Sequence, residues 1–288
     1  MGQLTPVGAA GEAALNVGLK TRLLDWLKLA GCVALGFPVL IYFLQERLIF
    51  FPQPLTADPL QASPGAAIEE LSLLTSDRVR LHGWLVKAPA AQGPAPILIY
   101  FGGNAEEVSW LAATADRYAG WSLLLINYRG YGASEGKPSE AQLFADALQI
   151  YDYAAGRAEG RRVAVMGRSL GSGVAVYLAS QRPVAGVILV SPYDSVENVA
   201  KGIYPYLPIS LMLKHRFDSL ARAPGIKLPL LCLVASHDRV IPRRHSERLY
   251  AAWSGPRQWR EIGPADHDSV AGEPAYWSAI ASFLAKLA

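Results

Sequence analysis

From residue 68 onward the chain alternates short apolar runs with longer stretches of helical spacing. IEELSLLTSDRVRLHGWLVKAP (68–89) has two half-polar runs around the polar turn Ser76-Asp77, the pattern of a β-hairpin. Five nearly all-apolar runs follow: ILIYF (97–101), WSLLLINY (121–128), RVAVMG (162–167), GVILVS (186–191) and LPLLCLVAS (228–236). Such runs suit strands buried on both faces of a parallel sheet. RQWREI (257–262) supplies a final strand. Helical spacing falls between them, around 105–118, 139–156, 170–181 and 243–253, and from about Glu273 to the end. The expected fold is therefore α/β. It has a mostly parallel eight-stranded sheet, an antiparallel N-terminal hairpin and helices on both faces.

One connection breaks the rhythm. Residues 194–227 run through IYPYLPISLMLKHRF without a strand. Two readings stand: a pair of short helices packed on the sheet, or a small apolar cap that receives an acyl chain.

The start of the chain follows a different pattern. A polar segment, 1–28, precedes LAGCVALGFPVLIYFL (29–44), sixteen residues without a charge. At 1.5 Å per residue this run spans ~24 Å, against ~30 Å of bilayer hydrocarbon. Trp26 and Leu27 lengthen it, and Lys28 can snorkel. The expectation is one transmembrane anchor, with a buried or interfacial helix covering the domain as the alternative, and a domain over 48–288. Lys20, Arg22 and Lys28 precede the run and Arg47 follows it, so the positive-inside rule puts the N-terminus in the cytoplasm and the domain outside. Leu29-Ala30-Gly31-Cys32 has the look of a lipid-attachment box, but such a box should close an apolar stretch and this one opens it. No small-x-small cleavage site follows Leu44.

Composition narrows the function classes. Of 288 residues, 51% are hydrophobic and 18% charged, with net charge +3. The basic residues are scattered and no basic run interleaves with aromatics, so nucleic acid is not an expected partner. Cys32 and Cys232 are too few and too far apart for a disulfide framework. The five histidines show no metal-ligand spacing.

VMGRSLGSG (165–173) contains G-x-S-x-G, a weak signal alone in a chain with 26 glycines. Its setting strengthens it. Ser169 falls between a buried strand and a helix rich in small residues, as a nucleophile elbow requires. Gly167 and Gly171 leave room where strand and helix approach. A serine hydroxyl needs a base, and His267 in PADHDSV lies just beyond the last strand. The base needs a carboxylate to fix its tautomer, and Asp238 in SHDRVIP lies just past LPLLCLVA. The order Ser169, Asp238, His267 is the one this fold uses, and each residue ends a strand at its carboxyl edge. Rival bases are His237 and His245. The rival acid is Asp194, and Asp266 and Asp268 flank the histidine itself. For the oxyanion, the N–H of Leu170 follows the nucleophile, and the loop YFGGNAEE (100–107) offers a second donor, placed at Asn104. The stretch YGASEGK (131–137) suggests a phosphate loop, but Tyr131 and Pro138 stand where Gly and Ser or Thr are needed.

Together these stretches resemble the α/β-hydrolase superfamily. They are most similar to its single-pass membrane-anchored members, relatives of serine aminopeptidase-like hydrolases and monoacylglycerol lipases. The resemblance rests on ERLIFFPQP (46–54), LIYFGGNA (98–105), NYRGYGASEGKPSE (127–140), GRSLGSG (167–173), SPYDS (191–195), SHDRVIP (236–242) and DHDSV (266–270). It implies catalytic roles for Ser169, Asp238 and His267. The family commonly has His-Gly-Asn where this chain has Gly102-Gly103-Asn104. The expected activity is hydrolysis of carboxylic ester or thioester substrates, lipid-like or acyl, through an acyl-enzyme and without metal or organic cofactor. A peptidase or acyltransferase on the same triad, or a silent membrane-tethered binding module, are the alternatives. Nothing in the chain designates a protein partner.

Overall fold

The computed structural model describes residues 8–56, 59, 67–88 and 94–287. Residues 1–7 of the expected polar segment, and 57–58, 60–66, 89–93 and 288 of the expected domain, lie outside the described residues. The chain divides into two compact units, Met1–Glu46 and Arg47–Ala288.

Helix α1, Gly8–Ile49, supplies the described residues of the first unit, ends just beyond it and carries Pro38 in its interior. Its part from Arg22 to Ile49 is long and apolar enough to cross a membrane. Those 28 residues make about 42 Å of helix, well beyond the sixteen-residue run. The helix continues because Leu23, Leu24, Trp26 and Leu27 extend the apolar stretch in one direction and Leu48 and Ile49 in the other. Leu27, Val33, Leu35, Val39 and Phe43 are all exposed, so the apolar surface runs around the helix instead of forming one stripe.

The second unit holds one eight-stranded sheet in the order β1-β2-β4-β3-β5-β6-β7-β8. The strands are β1 Ile68–Leu74, β2 Arg80–Val86, β3 Ile97–Phe101, β4 Ser122–Ile126, β5 Val163–Arg168, β6 Val187–Val190, β7 Leu230–Ala235 and β8 Arg257–Ile262. β1 and β2 form the expected antiparallel hairpin, and β2 pairs antiparallel with β4. All other pairings are parallel. Side chains alternate between the faces. Ile97, Ile99 and Phe101 enter one core with Val165 and Leu189. Leu98 and Tyr100 enter the other with Met166 and Ile188. Burial on both faces is why the central strands read as unbroken apolar runs.

Helices α2 (Glu140–Arg157), α3 (Leu170–Gln181) and α6 (Arg243–Ala252) contribute to the first core, and α7 (Pro274–Leu287) to the second. α2 starts where the Ser139 hydroxyl accepts from the Gln142 N–H, an N-cap. It then buries Leu143, Ala147, Ile150 and Ala154 at helical spacing. The helix expected around 105–118 is instead a 3-10 helix, Ser109–Arg117. Its entry is fixed by polar contacts: the Glu107 carboxylate accepts the Ser109 N–H, and Asn127 Oδ1 accepts the Val108 N–H. Its exit is fixed by Ala119 and Gly120, both with positive φ.

The connection after β6 contains two short helices, α4 (Val196–Ile203) and α5 (Ile209–Met212), and a 3-10 turn at Ala223–Gly225. It is tied down from beneath. The Glu140 carboxylate accepts the N–H groups of Arg216 and Phe217 at 2.7 and 2.9 Å. Phe217 is buried against Phe144 and Phe50. Tyr206 and Leu211, by contrast, are 96% and 88% exposed.

Candidate active site

β5 ends at Arg168 and α3 begins at Leu170, so Ser169 occupies the whole turn between them. Its backbone has φ 49° and ψ −118°. A residue with a Cβ avoids that region. The turn stays that tight because strand and helix touch. A Cβ on Gly167 would lie 2.2 Å from the Gly171 carbonyl oxygen, and one on Gly171 would lie 2.1 Å from that of Phe101. The Ser169 N–H is held by the Val190 carbonyl at 2.9 Å. The Ser169 carbonyl accepts the Ser172 hydroxyl at 2.6 Å.

The structure brings Ser169, His267 and Asp238 together. Ser169 Oγ lies 3.0 Å from His267 Nε2, and His267 Nδ1 lies 2.9 Å from Asp238 Oδ2. A carboxylate only accepts, so Nδ1 carries the proton and Nε2 is left to accept from the serine hydroxyl. The other Asp238 oxygen accepts the N–H groups of Val240 and Ile241. Burial pushes the Asp238 carboxyl up, but the bonds from His267 and the Ile241 N–H outweigh it and hold it below the usual carboxylate range. Serine and histidine are buried.

The rival residues lie elsewhere. Asp194 Oδ1 binds His245 Nδ1 at 2.8 Å. His237 Nδ1 contacts only its neighbour, Ser236 Oγ, at 3.3 Å. Asp266 turns back on its own loop, where one oxygen accepts from Asp268 N, Ser269 N and the Ser269 hydroxyl.

Leu170 is the first residue of α3, so its N–H has no partner within the helix. Its carbonyl accepts the Tyr193 hydroxyl at 3.1 Å, which steadies the first helical turn. Gly173 is needed for that approach, since a Cβ there would lie 2.4 Å from Tyr193 Oη. Asn104 is fixed from two sides. Its carbonyl accepts the Tyr131 hydroxyl at 2.6 Å and the Phe51 N–H at 3.0 Å. Gly103 lies against the elbow: a Cβ on it would be 3.7 Å from Ser169 Cβ. The stretches around Phe51 and Tyr131 thus brace the loop that carries Asn104.

Sequence reasoning passed over three residues here. Tyr131 entered only as the residue that breaks the phosphate-loop pattern. Arg168, between Gly167 and Ser169, donates from Nη2 to the His267 carbonyl and to Asp268 Oδ1, both at 2.9 Å. Glu106 accepts four donors, described below. Among the described residues no group of three or more His, Cys, Asp or Glu side chains could hold a metal ion.

Residues 92–220 match the hydrolase family described as serine aminopeptidase, S33. The chain is 34% identical over 257 residues to the uncharacterized protein Rv2307c of Mycobacterium tuberculosis, covering 86% of this chain and 89% of that one. It is 30% identical over 255 residues to the uncharacterized membrane protein YNL320W of Saccharomyces cerevisiae, covering 85% and 90%. Its fold matches the esterase Pf2001 of Pyrococcus furiosus with a TM-score of 0.62 at 18% identity, over 83% of this chain and 97% of that one. The class that this sheet and these matches define is the α/β-hydrolase. The chain belongs to that superfamily, and residues 92–220 carry its similarity to the serine aminopeptidase S33-type hydrolases.

Proposed function

We propose that this hydrolase is a membrane-tethered serine esterase or thioesterase that turns over lipid-like or acyl substrates through an acyl-enzyme. The observation that carries the reading is the hydrogen-bonded chain from Ser169 Oγ through His267 to Asp238. Ser169 Oγ attacks the carbonyl carbon while His267 Nε2 takes its proton. The oxyanion that forms is held by the N–H groups of Leu170 and Asn104. Two such donors are worth several kcal/mol, since losing one costs ~3–4 kcal/mol of barrier. The proton on Nε2 then passes to the leaving alcohol or thiol as its bond to carbon breaks. Water, deprotonated by the same nitrogen, attacks the acyl-enzyme and releases the acid and Ser169. Asp238 holds the Nδ1 tautomer and the imidazolium throughout. None of these steps requires a metal or organic cofactor.

The membrane setting rests on the apolar stretch Arg22–Ile49. The likeness to a yeast protein named as a membrane protein points the same way. With Lys20, Arg22 and Lys28 before the apolar run and Arg47 after it, the hydrolase unit faces away from the cytoplasm. A C-terminal reporter active only in the cytoplasm stays dark in this orientation. The exposed Tyr206 and Leu211 on the connection after β6 fit a greasy substrate. A second reading, a peptidase on the same triad, is favoured by the serine aminopeptidase match.

The test is fluorophosphonate labelling of the detergent-solubilised protein, wild type beside Ser169→Ala and His267→Ala. Wild type alone should label. A folded wild type that stays unlabelled overturns the reading. Release from short acyl esters against aminoacyl amides then separates esterase from peptidase.

A further inference from the structure

Glu106 is buried, and every partner it has in the structure is a donor. Its Oε1 accepts the Tyr100 hydroxyl at 2.8 Å and Trp110 Nε1–H at 3.1 Å. Its Oε2 accepts the Gly103 N–H at 2.7 Å and Arg168 Nη1–H at 3.2 Å. Four donors around one side chain call for an acceptor-only group, which is an ionised carboxylate. Arg168 then spends its other terminal nitrogen on the His267 carbonyl and Asp268. One ion pair therefore touches three loops at once: Gly103 beside Asn104, the residue preceding Ser169, and the backbone of His267.

The space around Gly102 and Gly103 fits the same picture. A Cβ on Gly102 would meet Val108 Cγ1 at 3.1 Å and the Glu106 side chain at 3.5 Å. A Cβ on Gly103 would meet Arg168 Nη1 at 3.1 Å and Glu106 Oε2 at 3.3 Å. The volume beside Gly102, where the family commonly carries a histidine, is filled here by Glu106 and Val108.

We infer that Glu106 and Arg168 are positioning residues that set the oxyanion loop and the base loop relative to Ser169. The inference rests on the serine-hydrolase reading. Neither side chain touches the reacting atoms. The pair fixes where the N–H of Asn104 and the imidazole of His267 stand when the carbonyl carbon becomes tetrahedral. Misplacement by about 1 Å costs about 100-fold in rate. Because the error falls on the transition state, it appears in kcat and not in KM.

The test uses full-length protein in detergent, with acyl-ester kinetics, fluorophosphonate labelling and thermal unfolding on wild type, Glu106→Gln, Arg168→Met and Arg168→Lys. Glu106→Gln keeps the shape but sets an amide N–H₂ against a donor. It and Arg168→Met should lower kcat about 10- to 100-fold with KM within about threefold, and labelling should slow in parallel. Arg168→Lys, a point charge without the fork, should recover part of the loss. A folded Glu106→Gln or Arg168→Met with kcat within twofold of wild type overturns the inference. So does loss of the fold in both, which would make the pair a core element. A wild type that does not label at all removes the serine-hydrolase reading itself, a distinct outcome from wild-type behaviour in the variants.

Discussion

Asp194 Oδ1 lies 2.8 Å from His245 Nδ1 with both side chains buried, a second aspartate–histidine pair beside Asp238–His267. Asp194 also accepts the Ser195 N–H and Asn198 Nδ2–H, so it joins α4 to α6. The two aspartates therefore have opposite signatures. Asp194→Asn leaves buried donors short of an acceptor and should cost about 1–3 kcal/mol of stability, with kcat within about threefold. Asp238→Asn frees the wrong tautomer and should lower kcat about 10⁴-fold. Ester kinetics and thermal unfolding on the two variants check this, and exchanged outcomes would exchange the roles.

The Asp238 carboxyl also predicts a pH dependence. Its folded-state value is held below the ordinary one by His267 and the Ile241 N–H, against the opposing effect of burial. A depressed carboxylate stabilises the folded state above its unfolded value, about 3.9, and that contribution is lost as pH falls through the folded value. Wild type should thus exceed Asp238→Asn in Tm from neutral pH down to about 5. The gap should close below about pH 4. A gap that widens on acidification would contradict the sign.

Ser169 holds a left-handed backbone with φ 49° that glycine adopts freely. Two inactive variants should then differ in stability. Ser169→Gly relieves the turn and Ser169→Ala does not, a difference of about 1–3 kcal/mol. Ser169→Gly should also be more stable than the wild type, a trade of stability for function. Thermal unfolding of the three proteins measures it, and equal Tm values for Gly and Ala would mean the turn is unstrained.

Much of this was legible in the sequence, for a physical reason. Strands buried on both faces carry few polar residues, so β3 to β7 stood out as apolar runs. Ser169, Asp238 and His267 were legible because each sits at a strand end, within a few residues of an apolar run. Glu106 was not. The partners that bury it, Tyr100, Trp110 and Arg168, lie 6, 4 and 62 positions away, and only the folded chain brings them together. Tyr131 was missed likewise, since Asn104 and Phe51 meet its hydroxyl only once the loops are stacked. The 3-10 form of residues 109–117 depends on Asn127 and Glu107 contacts that helical spacing does not encode.

Gly171 marks where α3 presses on β3. A Cβ there would sit 2.1 Å from the Phe101 carbonyl and 2.6 Å from that of Gly102. Backbone cannot yield as a side chain can, so Gly171→Ala must push the helix away and move Leu170 with it. The expected cost is about 1–3 kcal/mol, together with a kcat loss. Gly156, in α2, has nothing within 4 Å of such a Cβ. Gly156→Ala should instead stabilise by up to about 1 kcal/mol and leave kcat unchanged.

Arg129, in the loop after β4, stands two residues before the stretch that mimics a phosphate loop and ties that loop to α2 and the hairpin turn. Its guanidinium grips Asp146 on α2 through Nε and Nη2, at 2.7 and 2.6 Å, and Asp77 in the hairpin turn through Nη1 and Nη2, at 2.5 and 2.8 Å. The Arg129 and Asp146 side chains are 4% and 5% exposed, so removing Arg129 leaves Asp146 buried and unpaired. Arg129→Met should therefore destabilise by about 3–5 kcal/mol, and Arg129→Lys should recover little, because an ammonium cannot satisfy two forks. Asp77 is half-exposed and rehydrates when its partner goes. The remaining cost thus lies with Asp146, and Arg129→Met combined with Asp146→Leu should return most of the lost stability. Thermal or urea unfolding of the three variants decides it. A double variant no more stable than Arg129→Met alone would show that the arginine acts by packing and not by its charge.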